Sequence, residues 1–177
     1  EKIGNTRDRD AGSLYLDTHG QQTALFIKNR KKRPGNLVAV EYYLSSEGNT
    51  DAPLRVRIYE ADSTGKPGRD LINDALVIKP RIENGWYSIN IEKLQLEIPE
   101  NGLFIAAEGV FPGDFETYYD ESEFVDLANP DNNKNITSLA YGQRIGYNRK
   151  CRKDTWHYSM SKVWFQLDKQ SFGVMIA

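Results

Sequence analysis

The chain has one cysteine and two histidines in 177 residues. A lone thiol, Cys151, closes no internal disulfide and builds no cysteine-based metal knuckle. Two histidines argue against a histidine-rich metal centre. A dominant charge is also missing: 23 Lys+Arg stand against 25 Asp+Glu, a formal net charge of −2. That balance gives no case for nucleic acid as a partner or for a polybasic membrane contact. No run approaches about 18 apolar residues, so no transmembrane helix is expected. Glu1 is neither methionine nor the start of an apolar leader. The expectation is a fragment or mature chain whose signal peptide has been removed.

Aromatic residues are what the sequence does have: 11% of the chain, ten of them tyrosine, beside 39% hydrophobic residues overall. This argues against disorder and fits one domain, 1–177, with a thin core. The dominant pattern has period two. Leu54, Val56 and Ile58 alternate with Arg55, Arg57 and Tyr59, and Tyr87, Ile89 and Ile91 alternate with Trp86, Ser88 and Asn90. Leu94, Leu96 and Ile98 alternate with Gln95 and Glu97, and Val163, Phe165 and Leu167 with Trp164, Gln166 and Asp168. Each reads as a strand with one face on a core and one in water. Segments 36–44 and 102–107 are apolar on both faces and read as central strands. Shorter strands are expected near 13–16, 23–28, 75–79, 143–147 and 172–177.

Turn chemistry separates them: His19-Gly20, Pro34-Gly35, Glu47-Gly48-Asn49, the run Ser63–Gly68, Asn84-Gly85, Asn101-Gly102 and Pro112-Gly113. About ten strands at this spacing predict an all-β fold, an antiparallel β-sandwich or jelly roll. The one weak helical pattern is 120–128. The stretch 112–138 reads as a long loop or insertion, and such loops commonly carry function.

The run Leu54–Glu60 with its Arg57-Ile58-Tyr59, the turn Gly65-Lys66-Pro67-Gly68, Leu71, the strand start Gly85-Trp86, and Phe104 followed by Glu108 form a recognisable set. Ile27–Lys32 upstream, and Trp156 and Ser171–Val174 downstream, extend it. The set resembles β-sandwich modules of secreted or cell-envelope proteins of Bacteroidetes-type bacteria, often found after a carboxypeptidase-regulatory-like domain. The resemblance implies a jelly-roll or galactose-binding-like fold and a secreted, periplasmic or cell-surface setting. It implies no catalytic residues. Segment 112–155 departs most from the pattern.

Several constellations invite a chemical reading. Gly65-Lys66 is not a phosphate loop, because position 60 is Glu60 and Pro67 follows the lysine. Cys151 lies among Arg149, Lys150, Arg152 and Lys153, cations that would lower a thiol pKa, and His157 is six residues on. No orienting third group or nucleophile elbow accompanies them, so a solvated basic loop is the plainer reading. From Asp114 to Asp131 there are seven acidic residues and no Lys or Arg. Asp114, Glu116 and Asp120 are candidate oxygen ligands for a structural calcium ion, although EF-hand spacing is absent. Carboxylates of this stretch could also serve glycoside hydrolysis. The basic segment 144–153 interleaves with aromatics, yet pairing with the acidic stretch or plain solvation accounts for it better than base stacking. Asn135-Ile136-Thr137 is an acceptor sequon of chance character.

Tyr118, Tyr119, Tyr141, Tyr147, Trp156, Tyr158 and Trp164 crowd the last third. Sugar rings lay C–H faces on such planes while polar neighbours bond the hydroxyls. The candidate ligand-binding residues are Trp156, Tyr147, Tyr118, Tyr158, Arg144 and Asn148, with Trp86 and Trp164 read as packing. The expected function is a non-catalytic extracytoplasmic module binding glycan or a partner protein through end loops. The alternatives are a structural accessory domain without ligand and a hydrolase using acidic-loop carboxylates.

Overall fold

Alternating apolar and polar residues leave a strand one dry face, and two such faces bury each other. A computed structural model shows this arrangement. It describes residues 2–6, 12–16, 20–30, 32, 34–46, 48–72, 75–82, 84–110, 142–148, 154–159, 161–166 and 173–177. The strands are β1 (Gly12–Tyr15), β2 (Gln22–Ile27), β3 (Ala39–Ser45), β4 (Leu54–Ala61), β5 (Pro67–Asp70), β6 (Leu76–Ile78), β7 (Gly85–Asn90), β8 (Leu103–Gly109), β9 (Arg144–Asn148), β10 (Thr155–Tyr158), β11 (Trp164–Phe165) and β12 (Gly173–Val174). They form two antiparallel sheets. The seven-stranded sheet runs β11-β10-β2-β8-β4-β5, with β6 also on β4; the five-stranded sheet runs β1-β9-β3-β7, with β12 on β9. The fold is an all-β antiparallel sandwich. No described helix is long and apolar enough to cross a membrane.

The inward residues follow the alternation. Leu25 and Ile27 of β2, Leu54, Val56 and Ile58 of β4, and Leu103 and Ile105 of β8 meet Val40, Tyr42 and Leu44 of β3, with Ile89, Ile145, Val174 and Ile176. Tyr42 crosses the layer, its hydroxyl donating to the Ala106 carbonyl at 2.8 Å. That bond satisfies a phenol whose pKa burial pushes well above its usual value, with Tyr59 adding to the rise.

β3 and β9 pair only at Leu44–Ile145 and Ser45–Arg144 and then diverge. The end of the chain fills the fork. Met175 N–H donates to Gly146 at 2.8 Å, Tyr43 N–H donates to Met175 at 3.1 Å, and Ala177 exchanges bonds with Glu41. Gly102 introduces β8 at φ +98°, where a Cβ would stand 2.3 Å from the Ile27 carbonyl oxygen. Only glycine fits that turn.

Three sequence readings change. The alternation at 94–98 is not a strand: Glu92–Leu94 forms a 3-10 turn ending in Gln95 at φ 49°, and Glu97 makes one bridge, to Asn36. At 163–168 the expected burial is reversed. Val163 is 56% and Phe165 40% exposed, while Trp164 packs on other rings over the outer face of the seven-stranded sheet. Periodicity does not mark β5 or β10, because turn residues mask the first and aromatics spaced by polar residues the second; only the family resemblance, through Trp156, places a strand at β10. Leu167, Asp168, the helical pattern 120–128 and the loop expected at 112–138 lie outside the described residues.

Candidate functional site

The alternation that sends Val56 and Ile58 inward sends Arg55, Arg57 and Tyr59 to the outer face of the seven-stranded sheet. Cross-strand register turns this into rows. Tyr158, Gln22, Glu108 and Arg55 form a polar row across β10, β2, β8 and β4. Trp156, Ala24, Ala106 and Arg57 form the next, and Phe26, Phe104 and Tyr59 an aromatic third.

This face is not an ordinary solvent face. Ala24, Phe104 and Ala106 are 0% exposed. Phe104 meets Phe26 at 4.9 Å and Trp156 edge-to-face at 6.2 Å. Trp164 of β11 meets Tyr59 of β4 at 5.5 Å and Tyr158 at 5.1 Å. Three strands separate β11 from β4, about 19 Å in a flat sheet. Two aromatic side chains do not bridge that span, so the β10–β11 edge curls over the outer face. The face is therefore concave, and its rings form a second small core.

Beside the rings lies a charge network. Glu108, whose side chain is 5% exposed, accepts from Arg55 Nη1 at 2.9 Å and Arg57 Nε at 2.5 Å. Arg57 Nη1 also donates to Asp70 Oδ2 at 2.9 Å. Burial lowers the Arg57 pKa, but the hydrogen bond and charge of Glu108 outweigh it, and the net direction is up. Tyr59 donates to Gln22 Oε1 at 2.7 Å. Its pKa is pushed up to about 12, by burial first and then by the charge of Asp70. It remains a neutral donor at physiological pH.

The six ligand candidates do not converge. Trp156 and Tyr158 lie within β10 on the concave face, on a strand rather than an end loop. Arg144, Tyr147 and Asn148 belong to β9 of the other sheet. Arg144 Nη1 donates to Ser13 Oγ at 3.2 Å. Tyr147 sits against Gly12, where a Cβ would lie 2.4 Å from its hydroxyl oxygen. Asn148 exchanges amide bonds with Asn5 at 2.9 and 3.2 Å, clasping the start of the chain to β9. Tyr118, Cys151 and the calcium candidates Asp114, Glu116 and Asp120 lie outside the described residues. Among the described residues no three His, Cys, Asp or Glu side chains group closely enough to hold a metal ion. Trp86 packs edge-to-face on Tyr43 at 5.6 Å, with Lys2 Nζ 4.4 Å above its ring.

Sequence reasoning passed over Gln22, Phe26, Arg57, Tyr59, Phe104, Glu108 and Trp164 as site residues. A signal was present: the outward positions of β4 and β8 read Arg-Arg-Tyr and Phe-Ala-Glu, too aromatic and too charged for plain solvent contact. Two clefts lie elsewhere. One, of about 210 Å³, is bordered by Lys2, Leu37 and Ile98; the other, of about 500 Å³, by Lys32, Arg69 and Glu100. Neither borders the concave face.

The inner side of β10 carries His157, opposite Thr23 and 5.9 Å from Phe165. Its Nε2 and Thr23 Oγ1 are buried without a hydrogen-bond partner. Burial lowers the His157 pKa to about 4. Unfolded histidine titrates near 6.5, so the unfolded chain takes up the proton more readily. The stability that His157 contributes as a neutral ring is complete above about pH 6.5. It falls by up to about 3 kcal/mol as the pH drops toward 4. Urea midpoints measured from pH 7 to 4 should decline more steeply for the wild type than for His157→Gln; parallel curves would refute this. No family model, no curated protein and no solved structure matches this chain.

Proposed function

We propose that this chain is a non-catalytic β-sandwich module of an extracytoplasmic protein, and that it binds glycan on the concave face of its seven-stranded sheet. The observation that carries the reading is the half-buried ring set Trp156, Tyr158 and Trp164 beside Gln22, Arg57 and Asp70. Partly exposed rings offer planes for sugar C–H faces, and the polar neighbours offer donors and acceptors for hydroxyls. The rings meet one another edge-to-face or tilted, at 76° and 51° for the two Trp164 pairs. Such packing does not make the flat platform that a crystalline polysaccharide needs, and it suits a single glycan chain. The carboxylates of the face are bound to guanidinium groups, which suits recognition better than acid–base catalysis. The extracytoplasmic setting rests on the family resemblance.

Affinity electrophoresis in gels containing soluble polysaccharides tests the reading. At least one glycan should retard the wild type, and Trp156→Ala should weaken retention about tenfold. Because Trp156 touches Phe104, a cooperative melt of the variant must accompany the measurement, and Tyr158→Ala provides a second reporter with fewer packing contacts. A wild type that no glycan retards overturns the proposal.

A further inference from the structure

Along the described strands of the concave face the charges cancel in pairs. The ionic groups at the outward strand positions are Arg55, Arg57, Glu108 and Asp70, and each of these guanidinium groups already holds a carboxylate. An anionic sugar seeking Arg55 or Arg57 would have to displace Glu108 or Asp70, and the described strand positions of the face carry no excess positive charge to attract it.

The two ends of the network differ in access. Glu108 is closed off at 5% side-chain exposure, whereas Arg57 and Asp70 are 26% and 25% exposed. Arg57 neighbours Tyr59 on the same face of β4, and Tyr59 carries the Trp164 contact. The accessible ion pair therefore stands next to the ring pair. A guanidinium donates hydrogen bonds and a carboxylate accepts them, so a joined pair meets both functions of a sugar hydroxyl. Asp70 is also held in place, since its Oδ1 accepts from Ile72 N–H at 2.9 Å.

We infer that the ligand of this face is an uncharged glycan, and that the Arg57–Asp70 pair reads its hydroxyls while the neighbouring rings hold its apolar side. The inference rests on the glycan reading above and narrows it to a substrate class.

Asp70→Asn is the discriminating variant, because the amide oxygen can still accept from Ile72 while the charge and the acceptor for Arg57 are both lost. Binding is measured against neutral gluco-, manno-, xylo- and galacto-oligosaccharides, and against oligogalacturonate and a sulfated galactan. The wild type should bind a neutral member at least about tenfold more tightly than either acidic probe. That affinity should change less than about twofold between ~0.05 and ~0.5 M salt, because no fixed charge is neutralised. Asp70→Asn should weaken neutral binding about tenfold and move selectivity toward the acidic probes. Preference for an acidic probe, or steep salt dependence, overturns the inference and leaves the glycan reading standing. Unchanged neutral binding in Asp70→Asn overturns the role of the pair. Binding to none of the probes overturns both the inference and the reading beneath it.

Discussion

Phe104→Ala is expected to lower the unfolding free energy by about 3–5 kcal/mol, the range for truncating a phenylalanine inside a well-packed core. The size of the effect is the point. Phe104 lies on the outward side of β8, and an ordinary outward side chain would cost within about 0.5 kcal/mol when shortened. Here the ring is 0% exposed, 4.9 Å from Phe26 and 6.2 Å from Trp156. Removing it leaves a void that the strand backbones beneath cannot close, and the edge-to-face contact with Trp156 is lost as well. Urea unfolding provides the measurement: the midpoint should fall with the slope unchanged. A loss below about 1 kcal/mol would mean that the curled face is not a core. Trp164→Ala should cost less, because that ring is only half-buried and unpins the β11 edge without opening a sealed void.

The same face marks the limit of what the sequence discloses. Period two identifies β4 and β7 and their inward sides, because a one-residue slip would expose every apolar side chain. Continuous apolar runs identify β8, and β3 from Ala39 on, for the same hydrophobic reason. The curl of the β10–β11 edge has no such local signature. It depends on Trp164 reaching Tyr59 across more than a hundred residues of sequence, and alternation places both rings in water by default. The 163–168 reading failed for that reason. It assumed that the more aliphatic side, Val163 and Phe165, must be the buried one, while tertiary contact selected Trp164. The candidate site was half legible. Trp156 and Tyr158 stand out by type, whereas Gln22, Ala24 and Ala106 matter only through register. Arg144 and Asn148 were attractive by composition, yet their side chains bond Ser13 and Asn5 of the chain itself. The turn run Ser63–Gly68 hid β5 because Pro67 pairs with Ala61 and Asp70 with Tyr59 across a register shift, which turn statistics do not encode.

Glu108→Ala should destabilise by about 3–5 kcal/mol, because breaking a buried ion pair from one side leaves the other charge without its partner. Glu108 binds two guanidinium groups at once. Arg57 would retain Asp70, so the cost falls mainly on Arg55, whose Nε is already buried without a hydrogen-bond partner. The double change Glu108→Met with Arg55→Met should regain most of the loss, since replacing both members with apolar side chains of similar size is often near neutral. With Glu108→Met and Arg55→Met also measured singly, the double-mutant cycle from urea unfolding at neutral pH gives the coupling. A single-variant loss below about 1 kcal/mol would place Glu108 among surface ion pairs and remove its structural role. Recognition should respond differently. Without Glu108 the Arg57 side chain loses the contact that fixes its Nε, so its grip on Asp70 loosens and any glycan affinity should fall together with stability. Asp70→Asn, by contrast, keeps the Glu108 clamp and the Ile72 bond, and should lose affinity while melting close to the wild type. Two carboxylates on one arginine thus separate holding the face together from reading a ligand on it, and the pair of variants tells the two roles apart.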